Sequence, residues 1–350
     1  MRSVFISVVL SVASSFILFS QSVNAFEYLQ PLPEQPIIPE NNPQTENKIA
    51  LGKQLFFDPR LSLKGDVTCN TCHNLASGGD DDGAVFNLSN RNVKRSAPSL
   101  WNVAYLSTYS WDARAPSLEA QAKEHLFDPN TMALGSPDFL ENRLRAIPGY
   151  VDAFKQTFSD QKISTENVTM ALAAFQRTLI VPDSRFDQYI KGTESALNDK
   201  EKRGLLLFKD KGCLGCHFGI NFAGPAPGPA LKMGDAFYEL MPTIRGSNYE
   251  EKYNFLDDQG VYHHTLNEEH RLFWRVPPLR NIADSAPYFH NGSVKDLHEA
   301  VRVMDRVQFN YGTNEEEVDD IVSFLKTLTG IYPVITLPRL PDTAGTTFID

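Results

Sequence analysis

Cysteine occurs four times in this 350-residue chain, and all four fall in two copies of one pentapeptide, Cys69-Asn70-Thr71-Cys72-His73 and Cys213-Leu214-Gly215-Cys216-His217. Two thiols three positions apart can each bond one vinyl group of a porphyrin, while the adjacent histidine swings under the ring and ligates the iron. Each copy therefore reads as an attachment site for one haem c, with His73 and His217 as the proximal iron ligands. A single Cys-x-x-Cys could be a redox disulfide or half a zinc site. Two copies, each closed by His and with no cysteine left over, favour two covalently bound haems.

Before these motifs stands a segment of a different kind. Arg2 precedes an apolar run from Val4 to Phe19, followed by the small-residue site Val23-Asn24-Ala25. This is the pattern of a secretory signal peptide over residues 1–25, and the run is short of the roughly 20 residues that a spanning helix needs. A mature chain starting at Phe26 in the periplasm is the expectation, with an uncleaved anchor as the alternative. With no thiol left for a disulfide, stability must come from the cores and the haems.

The formal charge of −10 becomes −11 once Arg2 leaves with the leader. That balance disfavours nucleic acid and anionic membranes as partners, and it permits a basic electron-donor protein.

The elements that must position the two motifs are themselves repeated. Leu51-Gly52-Lys53-Gln54-Leu55-Phe56 precedes the first motif and Arg203-Gly204-Leu205-Leu206-Leu207-Phe208 the second, each reading as the end of a helix. Beyond each motif, Leu172-Ala173-Ala174-Phe175-Gln176-Arg177-Thr178-Leu179 matches Ile321-Val322-Ser323-Phe324-Leu325-Lys326-Thr327-Leu328 at a shift of 149 (Leu172 to Ile321). Each half is thus helix, haem motif, long excursion, closing helix. The closing helices have signalled starts at Ser164 or Thr165 and at Thr313 or Asn314, with Glu315, Glu316 and Glu317 in a positively polarised first turn and Gly330 after the last. A helix from about Asp199 to Lys211 opens the second half.

Proline-rich and glycine-rich stretches at 31–39, 224–229 and 331–350 read as irregular. The expectation is a mainly α protein of two cytochrome c-like haem domains with long irregular loops, residues 26–195 and 196–335, followed by a tail over 336–350.

Several longer runs carry a resemblance that covers nearly the whole mature chain. They include Leu51 to Ser62, Ala97-Pro98-Ser99-Leu100-Trp101-Asn102-Val103-Ala104-Tyr105, Trp111-Asp112-Ala113-Arg114-Ala115, Leu118-Glu119-Ala120-Gln121-Ala122, Val276-Pro277-Pro278-Leu279-Arg280-Asn281 and Ala286-Pro287-Tyr288-Phe289-His290-Asn291-Gly292. With the two haem motifs, these resemble the bacterial dihaem cytochrome c peroxidase family, which includes the MauG-type enzymes. The resemblance implies an N-terminal haem that meets peroxide and a C-terminal haem that accepts electrons from a small donor, a cytochrome c or a cupredoxin. It implies Met304 as sixth ligand of the C-terminal haem, with Met233 and Met241 as competing candidates. Trp111 becomes a relay between the haems, Gln121 the amide at the peroxide face, and Arg280 a partner of a haem propionate. A homodimer is a further expectation. So is a calcium ion near Ser96, Ser285 and the Pro287 carbonyl, with the acidic run Asp80 to Asp82 read as a solvated turn.

Two departures from the family pattern matter. Family peroxidases often place a removable His ligand in the loop after the first motif, and here neither His nor Met occurs between His73 and His125. An open N-terminal iron follows, as in MauG-type members, with His125, His263 or Lys94 as the available alternatives. Where the family has a distal glutamate, Asp128-Pro129-Asn130-Thr131-Met132 puts Thr131. A threonine hydroxyl is a poor base, so His125, with Glu124 and Asp128 beside it, becomes the candidate for proton transfer. Three readings follow: a periplasmic peroxidase, a MauG-like oxidase acting on a partner protein, and a non-enzymatic dihaem electron carrier.

Overall fold

The computed structural model describes residues 29–81, 83, 93–224 and 237–343. The first half contains α1 (Glu46–Phe57), the single turn α2 (Cys69–Cys72), α3 (Leu118–Phe127), α4 (Pro137–Arg145), α5 (Pro148–Thr157) and α6 (Thr165–Gln176). After α7 (Arg185–Ile190), the second half contains α8 (Asp199–Asp210), α9 (Asn248–Lys252), α10 (Tyr262–Thr265), α11 (Leu297–Met304) and α12 (Glu315–Lys326). Two three-residue strands, β1 (Tyr238–Leu240) and β2 (Phe273–Arg275), pair antiparallel with Glu239 opposite Trp274.

The long helices start where side chains can satisfy the free amides of a first turn. Ser164 accepts from the Asn167 amide at α6, and Asn198 and Asn314 close capping boxes with Glu201 and Glu317 at α8 and α12. Of the two caps expected for each closing helix, the structure uses Ser164 and Asn314. The segments 31–39 and 331–343 carry no regular element, and 225–236 lies outside the described residues.

Packing repeats the sequence duplication. In α1, a Cβ on Gly52 would lie 1.8 Å from the Ala171 carbonyl oxygen of α6; in α8, a Cβ on Gly204 would lie 1.9 Å from the Asp320 carbonyl oxygen of α12. Only glycine lets each opening helix lie this close to its closing helix. Phe175 and Phe324, at matching positions of the closing helices, press on the same two glycines. Two apolar cores result, one from residues between Leu51 and Val181, the other chiefly from Phe186 to Leu328.

A second echo lies in the excursions. Asn102 and Asn281 both adopt left-handed backbone (φ 63° and 62°), their amides donate to Leu179 and Leu328 carbonyls, and Asn102 Nδ2 donates to Asn281 Oδ1 at 3.1 Å. At the same spacing, Ser110 and Phe289 share φ 67° and 68°, and the bridge between Tyr109 and Ala115 matches that between Tyr288 and Val294. In this register Trp111 corresponds to His290.

Candidate active site

Each Cys-x-x-Cys-His motif lies on the wall of its own cavity. The first, about 610 Å³, is lined by Cys69, Cys72, His73, Gln121 and His125 among others; the second, about 220 Å³, by Cys213, Cys216, His217 and Met304. All four thiols are free of disulfides. His73 Nδ1 lies 3.1 Å from the Pro98 carbonyl oxygen and His217 Nδ1 lies 3.0 Å from that of Phe222. A carbonyl at Nδ1 fixes the ring and its tautomer and leaves Nε2 for a metal.

The duplicated elements present matching side chains to the two cavities. Phe56 of α1 and Leu172 and Gln176 of α6 line the first; Phe208 of α8 and Ile321 and Leu325 of α12 line the second. Where the halves differ, the difference is in the wall helix. On α3, Gln121 and His125 stand one turn apart and both line the first cavity, as neighbours on one helix face do. On α11, Leu297, Ala300, Val301 and Met304 form the corresponding stripe of the second cavity. Met304 is followed at once by a π-helical turn, Asp305–Phe309, a distortion frequent at functional sites. Met241 also lines the second cavity, and Met233 lies outside the described residues.

Burial pushes His125 down to about 4, with His73 and Arg114 acting in the same direction and Asp128 against it. The imidazole is therefore neutral at physiological pH and able to accept a proton. Thr131 is turned to a structural use, because its hydroxyl donates to the His125 carbonyl at 2.6 Å and to the Asp128 carbonyl at 3.2 Å, buttressing the end of the helix. Glu124 pairs with Arg114 at 3.0 Å. His263 and Lys94 line the first cavity as well, and His263 Nε2 accepts from the Gln259 amide at 3.2 Å. Most of the loop from Asp82 to Asn92 lies outside the described residues.

Trp111 lines both cavities. Its Nε1 donates to the Ser96 carbonyl at 2.8 Å and its own carbonyl accepts from the Arg275 amide at 2.9 Å, so the ring is held from the first half and the backbone from the second. Around it, Arg95 bridges Asp112 (2.6 Å) and Asp258 (2.7 Å), and Arg114 takes the other oxygen of Asp112 at 2.8 Å. These two guanidiniums hold Asp112 below the usual carboxylate range against its burial.

Several second-cavity residues were not picked out by sequence reasoning. Trp274 and His290 stack at 3.9 Å and 15°, and Trp274 Nε1 and His290 Nε2 are buried without a hydrogen-bond partner. Arg275, held down to about 10 by burial, donates to the Ser110 and Val276 carbonyls. Buried nitrogens of this kind on the lining of one cavity fit the carboxylates of a haem. The Trp111 register offered a signal for His290, since Leu100-x-Asn102-Val103-Ala104 parallels Leu279-x-Asn281-Ile282-Ala283. Trp274 had none. Arg280 lines the same cavity, and its guanidinium pairs with the fully buried Asp187 at 2.8 Å and donates to the Gln30 carbonyl at 3.1 Å.

Asp80 and Asp81 depart from the expected solvated turn, because both are buried. Asp81 accepts from the Ser96 hydroxyl at 3.1 Å and the Ala97 amide at 2.9 Å, which ties the loop to the segment carrying Pro98. The Ser285 hydroxyl donates to the Ile282 carbonyl. Among the described residues no three His, Cys, Asp or Glu side chains cluster as a metal site.

A family model described as di-haem cytochrome c peroxidase matches residues 46–195, and one described as cytochrome c matches residues 201–329. The chain is 37% identical over 324 residues to cytochrome c551 peroxidase of Pseudomonas aeruginosa, covering 91% of this chain and 89% of that protein. This chain belongs to the di-haem cytochrome c peroxidase family. It is also 34% identical to the methylamine utilization protein MauG of Methylorubrum extorquens, over 88% of this chain and 86% of that one. A solved structure of a MauG-like protein associated with microbial copper homeostasis superposes with TM-score 0.74 at 27% identity, covering 87% and 94% of the two chains. The fold is accordingly mainly α with two cytochrome c-like domains, and the chain is a di-haem peroxidase that carries two covalently bound haem c groups.

Proposed function

We propose that hydrogen peroxide is bound and cleaved in the first cavity and that a small redox protein, a cytochrome c or a cupredoxin, supplies electrons through the second. The observation that carries this reading is the contrast of the two wall helices: α3 offers Gln121 and His125 to its cavity, whereas α11 offers Met304. A haem in each cavity supplies the iron that binds peroxide or stores an electron. In the first, the Gln121 amide orients peroxide, and His125, neutral and half-buried in the cavity wall, takes the proton from one peroxide oxygen and returns it to the departing one. In the second, His217 and Met304 would hold the iron, and a thioether ligand would raise its potential, which suits electron storage. Trp111 joins the two, and Arg275 with Arg280 faces the propionates.

The lack of His and Met between His73 and His125 favours an N-terminal iron that is open at rest, and with it a second reading, oxidation of a partner protein's side chains. We place the protein in the periplasm, with residues 1–25 as its signal peptide; among the described residues no helix is long and apolar enough to cross a membrane. Calcium at Ser96, Ser285 and Pro287 remains part of the proposal. The test is a spectroscopic titration of the oxidised holoprotein with peroxide. A high-spin haem that reacts without prior reduction supports the reading, and two low-spin haems silent until one electron is added would overturn the open iron.

A further inference from the structure

The stacked pair at the edge of the second cavity is the inner end of a continuous line of aromatic rings. Trp274 stacks on His290 at 3.9 Å; His290 lies 6.2 Å from Phe255, Phe255 lies 5.8 Å from Tyr253, and Tyr253 stacks on Tyr249 at 5.9 Å and 14°. The first three rings are buried, and the two tyrosines, on and just after α9, are half-buried. The line therefore leads from a haem cavity to the surface. Asn291, next to His290, donates to the Tyr253 carbonyl at 2.8 Å, which fixes its inner and outer parts to each other.

At the outer end the phenol has a built partner for its proton. Tyr253 Oη donates to Glu299 Oε1 at 2.6 Å, and the same oxygen accepts from Lys252 Nζ at 2.8 Å. Arg302 reaches the other carboxylate oxygen at 3.3 Å, and the Lys252 ammonium lies 4.6 Å from the Tyr253 ring centre. Removing an electron from a phenol makes its proton strongly acidic, and a carboxylate already in hydrogen-bond contact receives it without diffusion.

We infer that this ring line is an exit for oxidising equivalents, which ends at Tyr253 as a surface site of one-electron oxidation when no donor protein is bound. It rests on peroxide being reduced at the first cavity. An electron leaves Tyr253 inward along Phe255, His290 and Trp274, its phenolic proton passes to Glu299, and a neutral phenoxyl remains. One peroxide needs two electrons and two protons to give two waters. Tyr253 and its stacked neighbour Tyr249, which releases its proton to water, supply both.

The test mixes the oxidised holoprotein with hydrogen peroxide and a nitroso spin trap, without donor, and maps trap adducts by peptide mass spectrometry while the haem spectrum is recorded. Adducts should concentrate on Tyr253 and Tyr249. Tyr253→Phe should remove the adduct at that position and leave donor-driven peroxide turnover unchanged. Trp274→Phe should lower the Tyr253 adduct several-fold although Tyr253 is as accessible as before. A haem spectrum that responds to peroxide with Tyr253 unmarked, or marking indifferent to Trp274→Phe, overturns the exit alone. A spectrum that does not respond overturns the peroxide chemistry and the exit with it.

Discussion

At the scale of single residues, the proposed peroxide chemistry turns on His125 acting as the base, with Thr131 beside it turned to a structural use. Because burial holds His125 near 4, its neutral form persists well below the range of an exposed histidine. As a base it is lost only on protonation, so the rate of peroxide reaction should stay level from neutral pH downward and fall as pH drops through about 4. His125→Ala should lower that rate by about 10²–10⁴, the usual worth of a positioned acid–base group, and abolish the acid limb. Stopped-flow rates against pH check both. Met304→His should lower the potential of the second haem in a spectroelectrochemical titration, since a thioether ligand favours the reduced iron more than an imidazole does; an unchanged potential would send the search for the ligand to Met233 or Met241. The attachment residues were legible because covalent chemistry fixes their spacing. Trp274 and the carbonyl anchors of His73 and His217 were not, because the first takes its role from a neighbour distant in sequence and the others from backbone atoms.

At the scale of elements, the helix ends could be read because capping is local: a side chain three residues from its amide leaves a signature in sequence. The glycines of α1 and α8 are a different kind of feature. Gly52 and Gly204 look like helix-weakening residues in sequence, costing about 1 kcal/mol each relative to alanine. In the structure they are the contact points at which the closing helices lie on the opening ones. Gly52→Ala or Gly204→Ala should therefore destabilise the holoprotein despite the better propensity, by about 1–3 kcal/mol or more, because the added methyl meets a backbone oxygen that cannot rotate away. Gly135→Ala is the control, since a Cβ there meets nothing within 4 Å and the residue is exposed. Its thermal midpoint should stay within the small range of surface substitutions while the other two fall.

At the scale of the whole molecule, two copies of one plan are joined at their excursions, with the Asn102–Asn281 hydrogen bond at the join and Trp111 reaching into both cavities. The duplication flanking the haem motifs was legible from sequence. The second repeat was not read there, because its trace in sequence is the short parallel of Leu100-x-Asn102-Val103-Ala104 with Leu279-x-Asn281-Ile282-Ala283, Trp111 and His290 occupy equivalent places with unlike side chains, and the shared backbone angles make the match plain. That asymmetry gives the halves different roles, since the same backbone site holds a ring spanning two cavities in one copy and a ring stacked on Trp274 in the other. If Trp111 carries electrons between the haems, Trp111→Phe should divide the catalytic cycle into parts that respond differently. The reaction of oxidised protein with peroxide, which we propose to rest on Gln121 and His125, should keep its rate. The re-supply of electrons from the second haem should slow several-fold, so that donor-driven turnover falls while the peroxide step does not. Rapid mixing of the half-reduced variant with peroxide, followed at both haems, separates the two. Equal slowing of both steps would instead make Trp111 a packing residue whose loss loosens the join, where it is held by the Ser96 carbonyl and the Arg275 amide.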